Sequence, residues 1–342
     1  MKNILIDPSY PVFNNNKLFD LQDPILNHDN HLLQLHVLKE KLTRQNISIN
    51  TADLWQESSK TSGILYRYIS LGMMENIKRF EKQESIVLDS FVIMEPPIVA
   101  PALYDALPLL TDKFKYVYMH NVEGNGYSLS GVDRKKLRRF YWPIPYNTVL
   151  DAVWSHENRE HRIVVINGNH RPRLRFQELY SLRIQAMCAL AELQAVDLYG
   201  RGWERWWSRE SMWLPYWMHR KKLMTIYKGS CVSKFDILKK YHFCLCFENM
   251  AMTGYITEKI FDCLYAGTVP LYLGAHDIEK YIPSEVFIDC RQYETWQDMW
   301  RDLRTISLQK IRQIKKAGRD FLHSDMSKPF YRSMENIIFA RE

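Results

Sequence analysis

The sequence predicts an α/β protein built from two layered nucleotide-fold domains, and three observations lead there. Residues 241–274 read strand, polar loop, helix, strand, a β-α-β unit whose two strands should lie parallel in one sheet. The first 120 residues alternate strand and helix patterns, as one Rossmann-like layer does. At 342 residues the chain exceeds what a single core usually organises, so two domains are expected.

Taken in order, Asn3–Asp7 (NILID) reads as a first strand. Residues 24–46 place Leu32, Leu35, Leu38 and Leu42 on one helical face, and 47–51 suggest a second strand. A helix is expected over 64–80 and a strand over 85–94 (SIVLDSFVIM). Glu95-Pro96-Pro97 follows at once. A carboxylate at the end of a parallel strand falls in the crevice where α/β sheets bind ligands, and the two prolines stop a helix from absorbing it. The competing reading is a loop glutamate with no role. A helix over 100–110 and a strand over 115–120 (KYVYMH) complete the first layer, with His120 and Glu123 at its end as further candidate site residues beside Glu95. Trp142-Pro-Ile-Pro145 and the next dozen residues look like a crossing segment. The boundaries expected are 1–150, 151–325 and a closing helix, 326–342.

The second half opens with Ile163 to Ile166, the loop Asn167-Gly168-Asn169 and three close arginines, Arg171, Arg173 and Arg175. A helix over 179–193 and the strand Val196–Tyr199 follow. Residues 203–224 are aromatic and basic and fit an acceptor surface, a docking face or a packed insertion. Residues 233–240 lead to the β-α-β unit. There, Tyr241–Phe247 is a buried strand, Thr257 can cap a helix, and Glu258 and Lys259 fall in its first turn. Ile260, Phe261, Leu264 and Tyr265 recur at helical spacing, and Gly267 ends the helix. A helix N-terminus presents free N–H groups and partial positive charge, so a lysine there makes sense if a multiply charged anion binds. Otherwise it is a solvated surface lysine. A loop and strand over 281–288, an amphipathic stretch over 296–322 and a short one over 334–340 close the chain.

Hydrophobic residues make up 46% and charged residues 25%, an ordinary globular mix. The net charge is +7, with local clusters at RKKLRR (134–139) and HRKKL (219–223). Such clusters meet phosphates, anionic membranes or nucleic acid, or are merely solvated. No recognition motif accompanies them, so nucleic acid is not an expected partner. The six cysteines form no C-x-x-C and read as apolar core residues of a reduced compartment. The first ten residues do not resemble a signal peptide, and no apolar run approaches the roughly 20 residues of a membrane helix. A cytoplasmic protein is expected, with peripheral contact to the inner membrane left open.

The run FEN-(x)5-YITEK followed by AGTVPLYLG resembles the donor-binding motif of the α1,3/α1,4-fucosyltransferases, glycosyltransferase family 10, bacterial type. Met250 stands where that family usually has Ser. VDLYG-x-G and IPSEVFID are similar to further family segments. The resemblance implies a GT-B fold, two Rossmann-like domains facing each other across a cleft, and inverting transfer of L-fucose from GDP-fucose to a glycan hydroxyl. An α1,3 linkage to GlcNAc or Glc in a Lewis-type or surface polysaccharide is the form it suggests. It implies donor contacts from Asn249, Tyr255, Thr257, Glu258 and Lys259, with Glu258 on the ribose. Glu95 is similar to the acceptor-activating base, and Arg183, with Arg175 as runner-up, to the arginine on the diphosphate. The sequence contains no D-x-D, so Arg183, Lys259 and the N–H groups near Thr257 are expected to share one pocket around the leaving group, with no cofactor and no bound metal. Alternatives are a transferase for another GDP-sugar and a non-catalytic module that binds glycan or nucleotide.

Overall fold

The computed structural model describes residues 2–8, 10–56, 63–205 and 213–339. It divides into two compact units, Met1–Pro145 with Pro329–Glu342, and Tyr146–Lys328. Each is a parallel sheet covered by helices, so each strand must be apolar on both faces.

The first sheet has strands β1 (Asn3–Asp7), β2 (Ser48–Thr51), β3 (Tyr66–Ser70), β4 (Ile86–Val92), β5 (Tyr116–Met119) and β6 (Leu137–Arg139). Their spatial order is β2-β1-β3-β4-β5-β6, parallel throughout. Ile4, Ile6, Ile69 and Val92 pack into one core, and Leu5, Tyr68, Phe91 and Val117 into another, as the two-residue strand period requires. Met334, Ile337 and Ile338 of the last helix are buried in the first of these cores. The closing segment therefore returns to the N-terminal unit, whereas the sequence had left it as a separate helix.

Several elements differ from expectation for local reasons. The helix expected from residue 24 begins at Leu33, because Asp29 and Asn30 take left-handed backbone at φ 52° and 58°. The helix expected over 64–80 is instead β3 followed by a single turn, Ile77–Phe80. Its YRYIS run is aromatic and β-branched and pairs with both β1 and β4. The basic cluster 134–139 supplies the short edge strand β6, where charge discourages pairing with another chain. The amphipathic stretch 296–322 splits into Trp296–Thr305 and Leu308–His323, because the Ser307 hydroxyl caps the second helix by accepting from Lys310 N–H. Of the aromatic, basic stretch 203–224, residues 206–212 lie outside the described residues, and Leu214–Ile226 is a helix.

The second sheet contains β7 (Glu160–Ile166), β8 (Val196–Tyr199), β9 (Tyr241–Phe247), β10 (Val269–Leu273) and β11 (Ile288–Asp289). Its order is β11-β10-β9-β7-β8, again parallel. The helix Glu258–Ala266 joins β9 to β10 and buries seven of its residues. At ~1.5–3 kcal/mol for each large apolar side chain removed from water, this helix is a main prop of the unit. Gly267 closes it with φ 65°, the left-handed C-cap expected from sequence. All six cysteines are free, and five of them are buried.

Candidate active site

The chain runs from β7 outward to β8, then crosses back to β9 on the other side of β7. The winding direction therefore reverses between β7 and β9, and ligands bind outside the carboxyl ends of strands at such a point. A cavity of about 260 Å³ lies there. Asn167 and Gly168 after β7 line it, with Asn249 after β9 and Glu258 and Lys259 from the first turn of the joining helix. Lys234 and Asp262, paired at 2.7 Å, form another part of the wall.

The organising group is Glu248, which is completely buried. Its Oε1 accepts from Thr257 N–H at 2.8 Å and its Oε2 from the Thr257 hydroxyl at 2.7 Å. Thr257 thus holds the N-cap position by backbone, but its hydroxyl turns to Glu248 instead of capping the helix as expected. Lys259 Nζ lies 2.9 Å from Thr257 Oγ1, 3.3 Å from Glu248 Oε2 and 3.4 Å from Glu258 Oε1. With its side chain 18% exposed, Lys259 is a cation at the cavity wall gripped by two carboxylates. Burial pushes the Glu248 carboxyl above its ordinary range, against the pull of Lys259. Burial also acts upward on Glu258, but Lys259 and Lys234 outweigh it and hold that carboxyl at about 2. Glu258 is therefore anionic at neutral pH.

Of the residues expected at the donor site, Asn249, Glu258 and Lys259 line the cavity. Tyr255 and Thr257 stand behind it, 1% and 0% exposed. Tyr255 accepts a long hydrogen bond, 3.4 Å, from Asn249 Nδ2, which orients the amide. Arg183 does not share the cavity with Lys259, and that expectation is corrected. Its side chain is buried, and Nη2 donates to the Phe247 and Glu248 carbonyls at 2.7 and 2.9 Å. Burial lowers the Arg183 pKa, while Tyr180 and Glu248 act the other way. This arginine braces the end of β9 from behind. Arg173 and Arg175, by contrast, are exposed on the loop that continues from the cavity-lining Asn167 and Gly168.

Glu248 was missed as a site residue, although one signal for it is present in the sequence. Gly274, the last residue of AGTVPLYLG, is the position where a Cβ would fall 2.5 Å from Glu248 Cγ. The glycine leaves room for the glutamate and for Tyr272, whose hydroxyl would be equally close at 2.5 Å. Met250 is buried in a backbone bridge to Glu178, with Leu179 N–H on Asn249 O and Ala251 N–H on Gln177 O, each at 2.9 Å. The loop is thus fastened to the start of the helix Tyr180–Glu192 by backbone bonds that do not use a side chain at 250.

Glu95 belongs to the first unit, three residues beyond the end of β4 and partly buried. Tyr104 donates its hydroxyl to the Glu95 carbonyl at 2.9 Å, and His120 Nε2 lies 2.8 Å from the Met94 carbonyl. That nitrogen must carry its proton to bond a carbonyl. The His120 ring is fully buried and packs against Phe140 and Trp142. It holds the backbone before Glu95. Glu123 is exposed on the following loop. Among the described residues, no group of three or more His, Cys, Asp or Glu could hold a metal ion, and no helix is long and apolar enough to cross a membrane.

Residues 175–315, a span that takes in β8 to β11, the joining helix and all of the cavity wall beyond residue 170, match the model of glycosyltransferase family 10 (fucosyltransferase), C-terminal part. That stretch of the second unit is similar to the family's C-terminal part. An α-(1,4)-fucosyltransferase of Arabidopsis thaliana is 36% identical over 62 residues, 18% of this chain and 16% of that protein. The α-(1,3)-fucosyltransferase FucT of Helicobacter pylori is 33% identical over 66 residues, 19% and 14%. The matched segments thus span about a sixth of those relatives' length. Among solved structures, a glycosyltransferase from Rickettsia africae superimposes with a TM-score of 0.55 at 7% identity, covering 99% of both chains. The two parallel sheets are those of a GT-B-like glycosyltransferase fold, and the residues that match the family model make up most of its second unit.

Proposed function

We propose that the protein is an inverting fucosyltransferase that moves L-fucose from GDP-fucose to a hydroxyl of a glycan. The observation that carries this reading is Lys259 in the first helical turn of a family 10 domain, on the wall of a cavity at the sheet's switch point. In this reading the diphosphate takes the place of Glu248 and Glu258 as partner of Lys259. Free N–H groups at the helix start add to the same field. Glu258 accepts from the ribose hydroxyls, for which an anionic carboxylate is suited, and Asn249 completes the donor contacts, its amide oriented by Tyr255 behind it. Arg183 acts by positioning β9 and Glu248. The second phosphate cation comes from the 171–175 loop, with Arg175 in that role.

Inversion in one displacement needs a base to take the acceptor proton as the oxygen attacks opposite the leaving GDP. Glu95 is assigned that task, with Tyr104 and His120 fixing the backbone on either side of its Cα. The acceptor proposed is a GlcNAc- or Glc-containing glycan of a Lewis-type or surface polysaccharide, with α1,3 linkage. Incubation with GDP-fucose and a panel of β-galactosyl-N-acetylglucosamine acceptors, read by mass spectrometry, tests the proposal. A product heavier by one deoxyhexose supports it. Turnover with another GDP-sugar and none with GDP-fucose would refute the donor assignment.

A further inference from the structure

The amino ends of β7 and β9, opposite the donor cavity, meet a second cavity of about 1260 Å³ within the same unit. His161 of β7 and His242 of β9 face it, together with residues 154–159 and the helix Leu308–His323. Its wall carries Arg159, Arg312, Lys315, Lys316 and Arg319 against only two carboxylates, Glu157 and Asp320. Asp320 is already paired with Lys316 at 2.5 Å.

Part of this charge has a structural explanation. Arg159 donates to the carbonyls of Ala266, Val153 and Tyr241 at 2.7, 2.9 and 3.3 Å, which suits a cation at the carboxyl end of the helix Glu258–Ala266. Lys315 donates to Trp154 O at 3.0 Å and stands 4.6 Å from the centre of the Trp154 ring. Gly267 leaves the room for both: a Cβ there would lie 2.8 Å from Trp154 Cδ1 and 2.9 Å from Lys315 Cε. Carbonyls and a ring position these cations without neutralising them. Arg319 lies over the same indole, 5.4 Å from the ring centre, and Arg312 is exposed on the same cavity wall. Neither arginine has a carboxylate partner among the described residues.

The groups around the cavity register the excess. Burial, then Arg159 and Arg312, bring Lys315 down to about 8, with only Glu157 opposing. Burial, then His161, Arg159 and Lys315, take His242 to about 4. A cavity that penalises its own cations is relieved by an anion. We propose that this cavity is a binding site for a phosphate group, held by Arg312, Arg319 and Lys315 and brought either by a free phosphate compound or by the headgroup of an acidic lipid. Guanidinium groups bind phosphate through paired, charge-assisted N–H donors, and the size of the cavity admits more than the bare ion.

The test titrates inorganic phosphate by calorimetry into the wild type and into an Arg312→Gln/Arg319→Gln variant. Both side chains are exposed, so the variant should keep its melting temperature. A parallel arm measures cosedimentation with phosphatidylcholine vesicles, with and without phosphatidic acid. Loss of two charge-assisted contacts should weaken binding by about tenfold or more. Phosphate binding that the variant loses supports the site with a soluble ligand. Binding confined to phosphatidic acid vesicles, and lost in the variant, supports it with a lipid headgroup. No binding in either arm, or binding that the two substitutions leave unchanged, overturns the proposal; the second result would place the phosphate in the donor cavity.

Discussion

Replacing Lys259 by methionine should do two separable things. The substitution keeps the length of the side chain and removes its charge, leaving Glu248 fully buried with only Thr257 to bond. Removing one partner of a buried ion pair costs ~3–5 kcal/mol, and because Lys259 is 18% exposed we expect about 3. Loss of one preorganised charge stabiliser should also lower kcat by ~10²–10³. The ion pair with Glu248 makes this position part of the fold as well as of the site. Combining Lys259→Met with Glu248→Gln removes the stranded charge while keeping an oxygen for Thr257 N–H. Urea unfolding of the four proteins should give a coupling of roughly 1–3 kcal/mol, with the double variant more stable than the sum of the singles. Turnover of GDP-fucose should stay low in both variants that lack the lysine. Strict additivity of the two stability losses would refute the ion-pair argument. Turnover of Lys259→Met within about threefold of wild type, less than 1 kcal/mol in the barrier, would refute the catalytic one.

Other substitutions follow from the same geometry. Glu95→Gln should abolish transfer while GDP still raises the melting temperature as in wild type; loss of the GDP response would show that Glu95 is not the base. Gly274→Ala sets a methyl 2.5 Å from both Glu248 Cγ and the Tyr272 hydroxyl, an overpacking that should cost ~1–3 kcal/mol in chemical unfolding and weaken GDP binding, and an unaffected variant would contradict the close packing around Glu248. Arg175→Ala should lower activity at unchanged stability, whereas Arg183→Met should lower stability by freeing the Phe247 and Glu248 carbonyls; the reverse pattern would return the diphosphate role to Arg183. Lys315 titrates near 8 when folded and at its ordinary 10.5 when unfolded, so between these values the unfolded chain holds more protons and stability should rise with pH. Its penalty is complete below about 8, and the rise should vanish in Lys315→Gln.

The β-α-β unit of the second sheet was legible residue by residue. Tyr241–Phe247 is apolar apart from His242, and Gly267 stands at the helix end, so the first strand and the C-cap fall at their expected residues. Residues 64–80 misled because the apolar residues in YRYIS fit a strand and a helical face alike, and only pairing with β1 and β4 decides. The amphipathic stretch over 296–322 runs through Ser307 without a break in its period, and only the cap at that residue divides it into two helices. At the site, motif spacing located Asn249, Glu258 and Lys259 on the cavity. It could not tell a residue that lines the cavity from one that braces it, which is how Arg183 was misplaced and Glu248 overlooked. Burial of a charged side chain depends on partners distant in sequence. Arg183 meets Phe247, 64 positions away, and Glu248 needs the space left by Gly274.

The central claim is that Lys259 leaves its two carboxylates to meet a diphosphate. A crystal soaked with GDP tests this most directly. The account predicts phosphate oxygens ~2.7–2.9 Å from Lys259 Nζ, with the Glu248 and Glu258 contacts lengthened. GDP bound away from the ends of β7 and β9, or bound there with Lys259 still held by Glu248, would contradict it.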